Sequence, residues 1–268
     1  MKDNTYIFCF QSEKGGVGKT TFSIHFAYAL SWFGFPVILI DTDPQGSSRD
    51  WAAARADACP FAVVGYDRPA LHKDIERIIE GKVFAVIDSP PRITDIARPA
   101  LLVSDAVIIP IQPSPLDLWA TSDTLKLAEE AKGFNQKLKI GIAINREIGN
   151  TEISKAVEKE LHKTGIEVFH NHIKQRVAFA EVMAEGKTVM EIKDPHDKAN
   201  AEFGQLLVEI LLWAGVAKTH QGRSYPRARE LRERFLQSED LDSIIKEYKD
   251  AGNDQWQLIT WVKRWLNS

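Results

Sequence analysis

Two cysteines in 268 residues, Cys9 and Cys59, are too few for a disulfide framework, and they do not form a Cys-x-x-Cys metal or redox pair. No apolar run approaches the roughly 20 residues that a membrane span needs. The N-terminus is polar and leads straight into an apolar run, so no secretory leader is expected and the expected compartment is the cytosol. Neither sign of charge dominates: 34 basic and 37 acidic side chains leave a net charge of −3. Any nucleic-acid surface must therefore be a local patch and not a global field. What is present, 44% hydrophobic and 26% charged residues, is ordinary for a soluble globular protein. The length suits one large α/β domain with room for an appendage.

The chain is organised around Glu13-Lys14-Gly15-Gly16-Val17-Gly18-Lys19-Thr20-Thr21. An apolar run, Tyr6 to Phe10, precedes this stretch, and an apolar-periodic segment with Ile24, Phe26, Ala27 and Leu30 follows it. Strand, glycine loop and helix in that order are the context of a phosphate-binding loop. The glycines let backbone N–H groups turn inward as an anion nest, and the new helix adds its positive end. Lys19 is placed to reach the β/γ-phosphates, and the Thr20 hydroxyl to hold Mg²⁺. The usual pattern has glycine five residues before Gly18. Here that position is Glu13, and a second lysine, Lys14, stands ahead of the Gly-Gly pair.

Lys14 to Thr21 resembles the deviant Walker A loop of the ParA/MinD family of nucleotide-dependent positioning ATPases. The resemblance implies ATP and Mg²⁺ as ligands and Gly15, Gly16, Val17, Gly18, Lys19, Thr20 and Thr21 as nucleotide contacts. It makes Lys14 and Lys19 catalytic cations. In that family the first lysine crosses a dimer interface to the partner's nucleotide, by the logic of an arginine finger. The implied state is a homodimer made by ATP and lost after hydrolysis. The cysteine content argues against the iron–sulfur carriers and nitrogenase-reductase relatives that share this loop.

The first helix is expected to stop at Gly34. Pro36 to Asp41 is an unbroken apolar run, as in a strand covered on both faces. Asp41-Thr42-Asp43-Pro44-Gln45-Gly46 follows at its carboxyl end, where ligands of open α/β sheets bind. A simple turn is the bland alternative. The resemblance gives Asp43 the attacking water and puts Asp41 near the Mg²⁺ shell. Phe84 to Asp88, then Ser89-Pro90-Pro91, reads as a strand ending in a Walker B carboxylate, with Asp88 holding a Mg²⁺-bound water and the proline pair as a switch. Ser104 to Asp117 is a strand and loop punctuated by prolines, which could mark an edge strand. It resembles the same region of the short partition proteins called ParF-like. Through that resemblance the loop lies at the dimer face, with Pro113 near the nucleotide. Lys139 to Asn145 is another buried strand. Asn145 matches an adenine-contacting position of the family, and pairing with a loop backbone is the alternative.

Further helices are expected over Arg49 to Ala58, around Leu71 to Ile79, through Leu125, Ala128 and Glu129 to Gly133, from Thr151 (a credible N-cap) to Lys163, and from Pro195 to Gly215. Short strands are expected at Phe61 to Val64 and Gly165 to Phe169. His170 and His172 are spaced to share a metal, but no other His or Cys lies near them in sequence. The family places a surface for sequence-independent DNA contact in this region, with Lys174, Arg176, Lys187, Lys193 and Lys198 as candidates. Scattered solvated charge is the alternative.

Residues 217–226 read as a polar linker. Arg227, Arg229, Arg232 and Arg234 then alternate with Glu230 and Glu233, as on a solvated helix or a phosphate-contacting one. Trp256, Leu258, Ile259, Trp261, Val262, Trp265 and Leu266 form the apolar face of a terminal helix. That face can pack on the ATPase body or its mate, bind a partner, or lie in a membrane interface. Packing is the expected outcome, because Leu241, Ile244, Ile245 and Tyr248 offer a neighbouring apolar face.

The expected architecture is an α/β, doubly wound, mostly parallel sheet over 1–215 with a helical C-terminal extension over 216–268. The resemblance implies a slow, partner-stimulated partition or cargo-positioning ATPase. ATP would dimerise it, the dimer would bind nucleoid DNA without sequence preference, and a ParB-like or adaptor activator would release it. Its expected place is the cytoplasm, on the nucleoid and not on a membrane. Two alternatives remain: a MinD-like protein organised on membranes, and an enzyme of the same superfamily that phosphorylates or amidates a small acid.

Overall fold

Apolar runs buried from end to end set the sheet: β1 (Tyr6–Phe10), β2 (Val37–Asp41), β4 (Phe84–Asp88) and β5 (Ala106–Ile111). β6 (Lys139–Ile144) is buried beyond its first residue, and β3 (Ala62–Gly65) and the two-residue β7 (Glu167–Val168) complete the set. Side chains with no polar alternation need cover on both faces, which a parallel sheet between helical layers provides. The computed structural model describes residues 5–216 except 33, 93–94, 150, 193 and 195–196. The linker, arginine-rich and tryptophan-rich segments expected beyond Val216 lie outside the described residues.

All seven strands pair in parallel in the order β3-β2-β4-β1-β5-β6-β7. The helices are α1 (Lys19–Trp32), α2 (Ser47–Ala54), α3 (Leu71–Ile78), α4 (Ala97–Val103), α5 (Pro115–Phe134), α6 (Glu152–His162), α7 (Val177–Ala184) and α8 (Lys198–Ala214). The pleat divides β1 between two cores. Phe8 and Phe10 face an aromatic core with Phe22 and Phe26 of α1 and Phe203 of α8. Ile7 and Cys9 face an aliphatic core that includes Leu71, Leu101 and Leu127 from α3, α4 and α5. Phe26 meets Phe8 and Phe10 edge-on, at 4.7 and 5.4 Å between ring centroids. Truncating Phe8 to alanine in such a setting costs roughly 3–5 kcal/mol.

Several boundaries differ from the sequence expectation. β5 is internal, between β1 and β6, and Pro110 lies opposite Ala143, so its prolines do not mark an edge. α5 begins at Pro115, inside the stretch Ser104 to Asp117 that sequence reads as strand and loop. Ser114 caps it, accepting the Asp117 N–H at 3.2 Å, and proline in the first turn loses no helical bond. α2 spans Ser47–Ala54 and not Arg49 to Ala58. Thr151 caps α6, and Gly215, at φ 71°, ends α8 in the left-handed conformation typical of a C-cap. The carbonyls at that end are held from the sheet. Lys139 Nζ donates to Trp213 O and Ala214 O at 2.8 and 2.9 Å, and the Tyr6 hydroxyl donates to Ala214 O at 3.1 Å.

Candidate nucleotide site

Register places the candidate residues together. Phe10 and Asp41 both lie opposite Asp88, so β1, β2 and β4 end in one row at their carboxyl ends. Thr42 ties two of these ends, its N–H and hydroxyl both donating to Asp88 O at 2.9 Å. The glycine loop leaves β1 between β4 and β5, where the winding of the sheet reverses. That crevice is the usual ligand site of an open α/β sheet.

The loop is held by its carbonyls. Glu13 O accepts Arg92 N–H at 2.9 Å and Lys14 O accepts Lys19 Nζ at 3.2 Å. Gly16 O accepts from Gln112 Nε2 at 3.3 Å, Val17 O from Asn145 Nδ2 at 2.6 Å, and Gly18 O from Phe22 N–H at 2.9 Å. The backbone N–H groups from Gly15 to Thr20, by contrast, have no carbonyl acceptor among the described residues. Carbonyls tied outward and N–H groups left over make an anion nest at the start of α1. Gly18 must be glycine here: its φ is 104°, and a Cβ would stand 2.3 Å from Asn145 Nδ2. Asn145 is thus paired with the loop backbone in this structure, the alternative to an adenine contact. Its Oδ1 also accepts Arg146 N–H at 2.9 Å.

The carboxylates divide their tasks. Asp88 is fully buried, which pushes its pKa up to about 7 against the pull of the Ser48 and Thr20 hydroxyls. Ser48 Oγ donates to it at 2.8 Å and Ser23 Oγ approaches at 3.4 Å. Burial lowers the Lys19 pKa, while the charges of Asp88 and Asp43 act the other way. A buried carboxylate beside a threonine hydroxyl is an all-oxygen donor set that fits a hard cation such as Mg²⁺. Among the described residues no three His, Cys, Asp or Glu side chains converge as a metal cage. Mg²⁺ held largely by water and phosphate oxygens needs none. Asp41 is already occupied: Oδ1 accepts Asp43 N–H at 3.1 Å, Oδ2 accepts Arg49 N–H at 3.2 Å, and Arg49 Nε lies 3.5 Å from Oδ2. Half-buried Asp43 accepts Gln45 N–H at 2.9 Å, which closes the turn after β2.

Lys14 points elsewhere. Its ammonium lies 2.5 Å from Asp117 Oδ1, a carboxylate only 2% exposed at the start of α5. Ser114 Oγ donates to the other oxygen at 2.7 Å. The same helix supplies Thr124, whose hydroxyl accepts Glu13 N–H at 3.0 Å. Pro113 lies in the short turn between β5 and α5, at the same end of the sheet. Asp117, Thr124, Ser48 and Gln112 were not singled out from sequence. Only Ser114-Pro115, a capping signature, could have moved the helix start and brought Asp117 into view.

The candidate DNA residues are mostly committed within the chain. Lys174 pairs with Glu147, and Arg176 pairs with Glu202, its Nε donating at 2.9 Å. Lys187 pairs with Glu185 at 2.7 Å. Lys198 is exposed in the first turn of α8, and Lys193 lies outside the described residues. The two histidines diverge: His170 Nδ1 meets Glu209 at 3.0 Å, whereas His172 Nδ1 meets Glu147 at 3.3 Å.

Two helices that begin at the site converge on the segment after α7. Trp51 Nε1 donates to Lys187 O at 3.0 Å, and Arg55 to Gly186 O at 2.9 Å and Glu191 at 2.8 Å. From α1, His25 accepts Val189 N–H at Nε2 (3.1 Å) and donates from Nδ1 to Thr21 O (2.7 Å). Burial lowers the His25 pKa to about 4, which keeps the ring neutral.

The profile of the CobQ/CobB/MinD/ParA nucleotide binding domain matches residues 8–189. The maintenance of carboxysome distribution protein A of Halothiobacillus neapolitanus is 30% identical over 202 residues, 74% of this chain and 93% of that one. The chromosome-partitioning ATPase Soj of Thermus thermophilus is 28% identical, over 75% of this chain and 93% of its own. Among solved structures, apo McdA of Cyanothece superposes with a TM-score of 0.66 at 17% identity, over 77% of this chain and all of that one. MinD of Pyrococcus horikoshii with Mg-ADP gives 0.61 at 22%, over 79% and 98%. At those identities the likeness shows the fold.

Proposed function

Because this chain belongs to the CobQ/CobB/MinD/ParA nucleotide-binding family, we propose that it is a positioning ATPase that ATP dimerises and hydrolysis resets. The observation that carries the reading is the separation of the two loop lysines. Lys19 is buried beneath the nest, where it meets the phosphates of its own nucleotide. Lys14 is turned out of that nest toward α5, so it is positioned to serve a second copy and not its own site. The same helix end exposes Trp119, at 69%, and exposed aromatic residues suit an association surface.

The chain's residues divide the work as follows. The N–H groups of Gly15 to Thr20 bind the phosphate oxygens. Thr20 and Asp88 would hold Mg²⁺, with Asp41 behind the turn that sets Asp43. When bound, the ion neutralises charge on the β- and γ-oxygens. Asp43 orients the attacking water, and Lys14 of each copy leaves Asp117 to stabilise the charge on its mate's terminal phosphate. Asn145 holds the loop until nucleotide enters and then lies at the base end of the pocket.

The dimer binds nucleoid DNA without sequence preference, and an activator of the ParB or adaptor type triggers hydrolysis and release. The relatives named for carboxysome distribution and chromosome partitioning support a large cargo. With Lys174 and Arg176 neutralised in cis, Lys198 is the candidate among the described residues for phosphate contact. Among those residues no helix is long and apolar enough to cross a membrane.

The test is sedimentation of an Asp43→Ala variant with ATP and Mg²⁺, followed by DNA binding in ATP and in ADP. The expected result is a dimer that binds DNA in ATP and loses it steeply as salt rises. A species that stays monomeric in ATP, or binds DNA equally with ADP, refutes the cycle.

A further inference from the structure

We propose that Arg92 is a phosphate-contacting residue of this site, supplying a guanidinium at the terminal phosphate in addition to the lysine ammonium groups, beside the end of the loop where Lys14 is turned away toward Asp117. The proposal rests on the nucleotide reading above. Among the described residues two non-glycine positions have a left-handed backbone, Arg92 at φ 74° and Arg146 at φ 52°. Both are arginines and both adjoin the phosphate loop. Arg92 N–H is bonded to Glu13 O, and Arg146 follows the Asn145 that is bonded to Val17 O.

Glycine takes this conformation without steric cost and arginine does not. Keeping arginine there means that its side chain does something a glycine could not, and such outliers gather at ligand sites. The other arginines near or far from the site mostly have carboxylate partners: Arg49 with Asp41, Arg55 with Glu191, Arg98 with Glu130 and Arg176 with Glu202. Arg92 is exposed and has no carboxylate partner among the described residues. It is therefore an uncommitted cation anchored to the same loop whose lysines are both engaged, Lys14 with Asp117 and Lys19 with Lys14 O.

Position supports the nucleotide as its ligand. The Arg92 backbone is fixed to the Glu13 carbonyl, one peptide from the Lys14 carbonyl that holds Lys19 Nζ. A guanidinium starting there can reach the phosphate that Lys19 meets, and its planar fork matches phosphate oxygens in pairs. Only Ser89, Pro90 and Pro91 separate it from Asp88. A terminal phosphate that draws Arg92 in would thus be felt at the carboxylate that holds the metal.

The experiment uses the full chain with Arg92→Gly, Arg92→Ala and Arg92→Lys. Each is titrated with a non-hydrolysable ATP analogue and with ADP, both with Mg²⁺, and melted without nucleotide. Arg92→Gly and Arg92→Ala are expected to weaken the ATP analogue about 10-fold or more and to leave ADP within about 2-fold. Arg92→Lys recovers part of the loss. Arg92→Gly melts about 2–4 °C higher, because the strain is released. Unchanged affinity for the analogue overturns the proposal. Equal losses for ATP and ADP overturn it too. If the unaltered chain binds neither nucleotide, the nucleotide reading falls and this proposal with it; if it binds both and the variants match it, only Arg92 is misassigned.

Discussion

Asp117→Asn should make the ATP dimer tighter. Lys14 cannot cross to a second copy without leaving Asp117, 2.5 Å away and almost fully buried. At that spacing two unit charges in an effective dielectric of 20 attract by roughly 7 kcal/mol. Desolvation of the carboxylate and solvent screening at the half-exposed lysine offset most of this, leaving about 1–2 kcal/mol net per pair. A dimer breaks two pairs, so removing the penalty lowers its dissociation constant by about 30-fold or more. Asparagine keeps an oxygen for the Ser114 hydroxyl, so the start of α5 is preserved. The loss of a negative charge in its first turn costs only about 0.3–1 kcal/mol. The assay is sedimentation equilibrium in ATP and Mg²⁺ on an Asp43→Ala background, with and without Asp117→Asn. A dimer that is equally strong or weaker in the double variant would refute the reasoning, because Lys14 would then either stay at home or need Asp117 in the dimer as well.

Lys14→Ala is expected to abolish hydrolysis while ATP affinity stays within a few-fold, whereas Lys19→Ala should weaken ATP at least about 10-fold. Single-turnover rates and nucleotide titrations separate the two, and matching phenotypes would make Lys14 a mere surface residue. Gly18→Ala forces a Cβ against Asn145 Nδ2 at 2.3 Å in a left-handed backbone, so the Asn145 clamp breaks and nucleotide affinity falls at least about 10-fold. Retained affinity would show that the loop adapts. The neutral, buried His25 has a folded pKa near 4, below its ordinary value of about 6.5. Between those values the unfolded chain holds the extra proton, so stability declines as pH drops through 6.5 and levels off near 4, by about 3 kcal/mol in all. Urea melts from pH 7 to pH 4.5 on the native chain and on His25→Gln measure this, and identical pH slopes would rule it out.

The sheet was legible because β1, β2, β4 and β6 are unbroken apolar runs that end at a polar signal: the glycine loop after Phe10, Asp41, Asp88, and Asn145 just past Ile144. Burial on both faces leaves that signature in sequence, and the parallel register then lines up the strand ends. The glycine loop was legible for a different reason. Its glycines set the backbone locally, and the N–H groups from Gly15 to Thr20 that find no carbonyl acceptor among the described residues belong to that one short stretch. The parts that were not legible depend on partners far away in sequence. Nothing near Lys14 announces Asp117, and nothing near Lys174 or Arg176 announces Glu147 or Glu202. Nothing near Asn145 announces that its amide is bonded to Val17 O. The start of α5 was obscured because Pro113 and Pro115 read as part of the loop that ends a strand, although proline in a first turn is compatible with a helix.

These long-range pairs also explain why a chain with net charge −3 need not repel DNA in every state. Of the basic residues proposed for DNA contact, Lys174, Arg176 and Lys187 each have an acidic partner on the same molecule, and Lys14 has one in Asp117. A basic side chain paired in cis offers little field at a distance, so Lys174, Arg176 and Lys187 would add to nucleic-acid affinity only through a change in their pairing. In the proposed cycle Lys14–Asp117 is the pair that ATP would alter directly, since the lysine belongs to the candidate phosphate loop. In the proposed cycle the nucleotide state would reach the outer surface through the exchange of ion pairs, beginning where Lys14 leaves Asp117.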